Sequence, residues 1–286
     1  MGLVYDYGVL LKPKVLFAML ALYITTYVSS IAYIRASFNA NDFTTGFMAV
    51  AFAVSGANAL NCYIDRDIDA LMTRTKGRPL SIGTIKPFEA LSFSILMMGM
   101  ATLLAISSGV VSVLLLIEGA GSYLILYSVL VKRRTSLNVL ATAPSVAAPA
   151  WYGWYLGGAP LYPLGILMGS IVAIWGPLHL WSIAFAYSKD YTRVGVPMFP
   201  SMVSRETAIR GIIIALTLLI GSSYLLLPWT KSNSYLIGVT IINIPLASVG
   251  IKFLHEKTNK AGWWLFKLTS PYIILVFLSF MINRLM

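Results

Sequence analysis

The sequence predicts an all-α polytopic membrane protein, a bundle of nine transmembrane helices, and three observations carry that expectation. Hydrophobic residues make up 58% of the 286-residue chain, and the mean hydropathy is +0.80. Charged residues are only 11%, against about 25% in a soluble domain. Apolar runs of about 17–25 residues, the length that crosses a bilayer, recur from end to end.

Taken in order, the spans are expected at 15–34, 43–64, 88–107, 110–130, 138–156, 163–187, 206–227, 234–253 and 263–282. Ahead of the first, MGLVYDYGVLLKPKV places its charges after a short apolar piece. That is not the pattern of a cleaved signal peptide, so the first span itself is expected to target the chain. The second is built from small residues, TTGFMAVAFAVSGA, and runs into a charged tract. Only SSG separates the third from the fourth, which contains Glu118 beside Gly119 and Gly121. The fifth carries Trp151 and Trp154 near its outer end, where tryptophans anchor to the interface. The sixth holds His179, and the ninth opens on Trp263 and Trp264, read as inner-boundary anchors. Nothing resembling a linker divides the chain, so 1–286 is read as a single membrane-embedded domain.

With the N-terminus in the cytoplasm, eighteen of the 21 Lys and Arg residues fall on the inner side. That bias predicts a cytoplasmic N-terminus, cytoplasmic loops after the even-numbered spans, and an outside C-terminus. It also accounts for the net charge of +11 without nucleic acid as a partner. The lone Cys62 excludes an intrachain disulfide and a multi-cysteine metal site.

The chemistry gathers in three inner loops. After the second span comes NALNCYIDRDIDALMTRTKGRPL. Asn58, Asn61, Asp65 and Asp69 are spaced 3, 4 and 4 apart, and on a helix they lie within roughly 80° of one another. Asp67 points to the opposite side. Two carboxylates on one face repel, and a divalent cation relieves them; oxygen-only ligands favour Mg²⁺ over zinc. Arg74, Lys76 and Arg78 follow, and Gly77 and Pro79 are expected to end the helix. The simpler reading is that these cations pair with the acids. The functional reading is that both signs hold a metal-bound diphosphate. GxxxxGK[ST] and GxGxxG are both missing, which argues against an ATP-driven pump.

After the fourth span, LYSVLVKRRTSLN supplies Lys132, Arg133 and Arg134, a topology signal from which a cation can also reach the phosphate. The sixth span and its loop read WGPLHLWSIAFAYSKDYTRVGVPMFPSM. His179 lies there between Trp175 and Trp181. Read alone it is a bonded structural residue, a metal or haem-iron ligand, or a proton carrier. Asp190 would share its face if the helix continued, and Lys189 sits beside Asp190.

N-x-x-x-D-x-x-x-D (Asn61, Asp65, Asp69) followed by M-x-R-T-x-x-R-P-L (Met72 to Leu80) resembles the intramembrane aromatic prenyltransferase superfamily named after UbiA. KRRTSLN and PLHLWSIA…KDYTRVGVPMFP resemble its protoheme IX farnesyltransferase (haem O synthase) branch. The match runs from about Lys12 to Pro200. It implies a nine-helix bundle around a central cavity open to lipid, and a transferase that moves a farnesyl or longer isoprenyl group from its diphosphate to the vinyl group of protohaem IX. Asn61, Asp65 and Asp69, with Asp190, would hold Mg²⁺. Arg74, Arg78, Lys132 and Lys189 would bind the diphosphate. Asn58, His179 and Trp175 would line the acceptor pocket, with Asp65, Asp69 and His179 as the catalytic set. Haem-handling or oxidase-assembly proteins are the partners this implies. The chain departs from most of the superfamily in having only Asp190, not a second aspartate pair, after the sixth span. Rival readings are a quinone precursor or other aromatic as acceptor, a cation transporter, and a haem-binding subunit that would need His255 as second ligand.

Overall fold

The computed structural model describes residues 2–286. Among them the secondary structure is entirely helical. A short α1 (Leu3–Leu10) precedes α2 (Pro13–Ile34) and α3 (Ala40–Ile64), which continues into α4 (Arg66–Leu71). After α5 (Pro79–Ile82) come α6 (Pro87–Ser107) and α7 (Val110–Gly121), the latter extended by a π-helix, Ser122–Val131. A 3₁₀ turn, Asn138–Thr142, leads into α8 (Ala143–Leu156). The rest are α9 (Ile166–Ala186), α10 (Ser188–Arg193), α11 (Phe199–Met202), α12 (Arg205–Ser223), α13 (Ser234–Glu256) and α14 (Asn259–Leu285).

Eight helical segments are long and apolar enough to cross a membrane. The expected fifth span, 138–156, is the exception. Its α-helix has 14 residues, about 21 Å, and the 3₁₀ turn before it adds about 10 Å. Pro149 lies within the α-helix, and a proline inside a helix forfeits a backbone bond that a regular helix makes. Eight of the nine expected spans are therefore present as long apolar helical segments, and the fifth is a shorter helix.

Local sequence explains where the helices begin. Asn39 Oδ1 accepts from the backbone of Asn41 (3.0 Å) and Asp42 (3.2 Å) to cap α3. Thr258 and Ser204 cap α14 and α12 in the same way. Proline opens α2, α5 and α6, where its missing N–H has no partner to lose.

Small residues let α2 and α8 approach closely, as membrane helices require in the absence of a hydrophobic drive between them. Ser30 donates to the Trp154 carbonyl (2.7 Å) and accepts from the Ala159 N–H (3.1 Å). A Cβ on Gly153 would overlap the Tyr23 carbonyl oxygen. Gly153→Ala is therefore expected to destabilise the bundle by about 1–3 kcal/mol, read as a lower melting temperature in detergent. Trp154, expected as an interface anchor, is instead fully buried and donates to the Pro160 carbonyl (2.9 Å).

The two termini lie at opposite ends of the bundle. Lys12 reaches Asn61 at the end of α3, whereas Arg284 packs on Tyr33 and the Trp229 carbonyl at the far end of α2. The loops carrying the expected chemistry sit at the Lys12 end. Asp190 bonds Thr73 across 117 residues, so the loops after the second and sixth spans do meet.

Candidate active site

A cavity of about 1070 Å³ opens between the helices at this end. It takes in Asn58, Asn61, Asp65 and Asp69 from α3 and α4, Arg74 and Arg78 from the next loop, Lys132, and Trp175 and His179 from α9. Most of the residues singled out in the sequence thus share one space.

The acid face forms, but not on one straight helix. Asp65 ends α3 at φ −92°, ψ 5° and α4 starts behind it. The backbone bonds still continue, Asp65 N–H to Asn61 O at 2.9 Å and Asp69 N–H to Asp65 O at 2.8 Å, which keeps Asn61, Asp65 and Asp69 in register. The helix then stops at Leu71, before Gly77 and Pro79, and Pro79 begins α5 instead of ending α4. Asp67 points outward, as the periodicity required, and pairs with Arg133 at 2.7 Å. The Arg133 hydrogen bond is what lowers the Asp67 pKa.

Each cavity acid meets a cation. Asp69 pairs with Arg78 and Asp65 with Lys132. Asp65 Oδ2 also accepts from the Asn61 amide at 2.7 Å. The simpler pairing is therefore present, but it leaves two things over. Asp65 Oδ1 is buried without a hydrogen-bond partner, a costly state for a carboxylate oxygen. Arg74 lines the cavity with no ion pair or hydrogen bond among the described residues.

A π-helix supplies the facing wall. Its i→i+5 pattern brings Tyr123, Tyr127, Ser128 and Lys132 onto one side. The Tyr123 and Tyr127 rings stack at 6.1 Å, Lys132 Nζ lies 5.6 Å from the Tyr127 ring centre, and Ser128 accepts from the Asn61 amide at 3.0 Å. Burial alone would lower the Lys132 pKa, but Tyr127 and the Asp65 carboxylate outweigh it and the value is raised.

Lys12 completes the mouth. Its Nζ donates to Asn61 Oδ1 at 2.7 Å and to the Tyr123 hydroxyl at 3.2 Å. Burial, then the Arg78 and Lys132 charges, lower its pKa to about 8 against the opposing pull of Cys62 and Asp65. Lys12 is thus charged below about pH 8 and loses its proton above it. Affinity of the free protein for a diphosphate anion is expected to fall as pH rises through that value, and Lys12→Arg, charged throughout, to flatten the fall. Calorimetric titration with inorganic diphosphate at about pH 7 and about pH 9, on either side of that value, checks it.

Two expected residues lie elsewhere. Asp190 accepts from the Thr73 backbone (3.1 Å) and hydroxyl (2.9 Å) and pairs with Arg193 (3.0 Å). It ties two loops together and does not line the cavity. The helix breaks at Tyr187, so Asp190 shares no face with His179. Lys189 lines a separate shallow pocket with Arg193 and Arg205. Trp181 packs on Phe199 at 5.0 Å, away from the cavity, and Glu118 is also off it, next to the close contact of Gly119 with Ala148.

The donor set fits a hard cation. Among the described residues no group of three or more His, Cys, Asp or Glu side chains gathers as a metal cage. Mg²⁺ does not need one; it takes one or two carboxylates and completes its octahedron with waters and substrate phosphates. Asp65, through Oδ1, and Asp69 would supply that pair, and Lys12, Arg74, Arg78 and Lys132 match the anionic charge that would remain. Away from the mouth the lining turns apolar and aromatic, with Ala49, Ala53, Trp175 and Phe266. At the far end the bundle is closed by Tyr23, Tyr27, Phe43 and Phe47, in ring contact at 5.2–6.4 Å.

Known proteins resemble this chain in sequence and in fold. The profile of the UbiA prenyltransferase family matches residues 22–280. A protoheme IX farnesyltransferase of Caldivirga maquilingensis is 32% identical over 99% of this chain and 100% of its own. That of Thermoplasma volcanium is 35% identical over 83% of each. Among solved structures, a UbiA homologue from Aeropyrum pernix superposes with a TM-score of 0.77 at 16% identity, covering 93% of this chain and 98% of that one. One from Archaeoglobus fulgidus, bound to GPP and Mg²⁺, gives 0.70 at 15% identity, covering 96% and 99%.

Proposed function

The chain belongs to the UbiA prenyltransferase family, and from that membership we propose that it transfers a farnesyl or longer isoprenyl group from its diphosphate to a vinyl group of protohaem IX. The observation that carries this reading is one cavity with two chemistries: a mouth of paired acids and surplus cations, and an aromatic wall with one histidine. The curated relatives named as protoheme IX farnesyltransferases support the acceptor.

Asp65 and Asp69, with Asn61, would hold Mg²⁺. Bound there, the ion would neutralise diphosphate oxygens as negative charge builds on them. Lys12, Arg74, Arg78 and Lys132 bind the same leaving group, and preorganised cations in a low-dielectric cavity stabilise charge far better than they do in water. The allylic C–O bond breaks with its electron pair going to the diphosphate. The π electrons of the haem vinyl group form the new C–C bond. Water adds to the cation left on the porphyrin side and gives up a proton, so the product is a hydroxyethyl-farnesyl haem plus diphosphate. The apolar wall keeps water off the allylic carbon until the vinyl group reacts, and Trp175 is among the aromatic residues lining the cavity that would attract its positive charge.

The protein is an integral membrane protein. We place the mouth loops and the N-terminus on the cytoplasmic side and the C-terminus outside, the whole chain working as one unit; a Lys76→Cys variant should then be labelled only from the cytoplasm. Purified protein in lipid, given farnesyl diphosphate, Mg²⁺ and either protohaem or 4-hydroxybenzoate, tests the function. Mass spectrometry should find farnesyl added to the haem alone. Prenylation of the benzoate and not the haem would overturn the acceptor.

A further inference from the structure

Thr269 of α14 holds two side chains of α9 at once. Its carbonyl accepts from the Trp175 indole N–H at 2.8 Å. Its hydroxyl lies 2.8 Å from His179 Nδ1 and 2.8 Å from the Phe266 carbonyl oxygen. A hydroxyl has one hydrogen, and a carbonyl can only accept. Both short contacts are hydrogen bonds only if the threonine donates to Phe266 and accepts from a protonated Nδ1. A neutral imidazole carries one N–H, so the lone pair is then on Nε2. Among the described residues Nε2 has no hydrogen-bond partner, and it is not one of the buried unpartnered atoms. Nε2 is therefore not sealed off, and the space that His179 lines is the cavity.

The ring is also clamped. Trp175 stacks on it at 4.7 Å and 24°, and Phe266 covers it at 4.4 Å and 34°. Thr269 itself is fully buried. A structural histidine satisfies both nitrogens. This one is fixed through one nitrogen, held between two rings, and presents the other to a space large enough for a flat macrocycle. Metal-ligating histidines show the same division, one nitrogen donating to a fixed acceptor and the other free for the metal.

We infer that Thr269 is a positioning residue: it holds His179 as the Nδ1–H tautomer, so that Nε2 is an axial ligand for the iron of a haem substrate. The inference rests on the haem reading proposed above and deepens it. It removes His179 from the candidates for donating a proton, because the only N–H on the neutral ring is spent on Thr269. An axial bond fixes the macrocycle against α9 and leaves its edge free to react.

Ferric protohaem and metal-free protoporphyrin IX, titrated into the full-length protein in lipid nanodiscs, test it. Wild type and Thr269→Ser should give the Soret band and EPR signal of imidazole-ligated iron. Thr269→Val, of the same shape without the hydroxyl, should lose that signature and bind protohaem about 10- to 100-fold more weakly. Its affinity for metal-free porphyrin and for farnesyl diphosphate should not change. His179→Ala should lose the signature as well. The inference is overturned if Thr269→Val keeps the wild-type spectrum and affinity, if it weakens both porphyrins equally, or if His179→Ala keeps the signature. Wild type that binds farnesyl diphosphate but neither porphyrin would bring down the haem reading itself, and the inference with it.

Discussion

Asp65→Asn is expected to lower prenyl transfer by about 10³-fold or more in a protein that still inserts. The substitution keeps the shape and removes one charge. In the native site Asp65 is almost fully buried, its Oδ2 held by Asn61 and Lys132 and its Oδ1 left without a partner. An amide cannot stand in for that free oxygen: one of its two terminal atoms becomes a donor, which repels a cation. Lys132 loses its counter-charge as well, so a somewhat lower melting temperature is also expected. Calorimetric titration with Mg²⁺ and inorganic diphosphate separates the two effects. Metal-dependent diphosphate binding should be lost well below the melting temperature of the variant, and higher Mg²⁺ should not restore turnover. Normal turnover by Asp65→Asn would remove the metal assignment.

Which of these features are legible in the sequence depends on whether side-chain direction follows from local periodicity. The acids of α3 and α4 do follow it. Spacings of four place Asn61, Asp65 and Asp69 together even though the helix axis breaks at Asp65, because the i→i−4 bonds cross the break. Asp67 is outward for the same reason. The facing wall does not follow it. Residues 122–131 form a π-helix; the α-helical period keeps Tyr123 and Tyr127 together but turns Ser128 and Lys132 away from them. In the sequence Lys12 reads only as a topology charge. Nothing in LKPKV indicates that Lys12 takes a left-handed backbone conformation, φ 51°, and reaches across to Asn61. Asp190 illustrates the converse. Its loop lies beside the site, as expected, but the Thr73 N–H is closer than the cavity and claims the carboxylate. The fifth expected span follows from hydropathy, which does not register that its regular helix is only 14 residues long.

The charges at the mouth make sense as a set rather than as separate ion pairs. A buried pair with no other use is a weak source of stability, since desolvation offsets most of its attraction. Two such pairs, an unpartnered Asp65 oxygen, and the additional cations Lys12 and Arg74 in one cavity are better explained by a third party bearing both a metal and phosphate oxygens. In that account the Asp65–Lys132 and Asp69–Arg78 contacts keep each side chain in place until the substrate arrives, and each partner then turns part of its interaction toward the ligand.

Lys132→Met tests this account by removing a charge from the other side of the same pair. Lys132 is held between Asp65 and Tyr127 with its pKa raised, so it remains charged across the working pH range. Loss of that charge should reduce transfer by about 10²–10³-fold and weaken diphosphate binding, while the unbranched apolar side chain of methionine preserves packing against Tyr127. The decisive comparison is the double variant. If Asp65 and Lys132 grip one metal–diphosphate unit, neither is useful without the other, and Asp65→Asn with Lys132→Met should be no slower than Asp65→Asn alone. Transfer rates for the four proteins of that cycle, at saturating Mg²⁺ and both substrates, give the answer. Losses that multiply would mean that the two residues act on separate steps, and the shared ligand at the mouth would have to be abandoned.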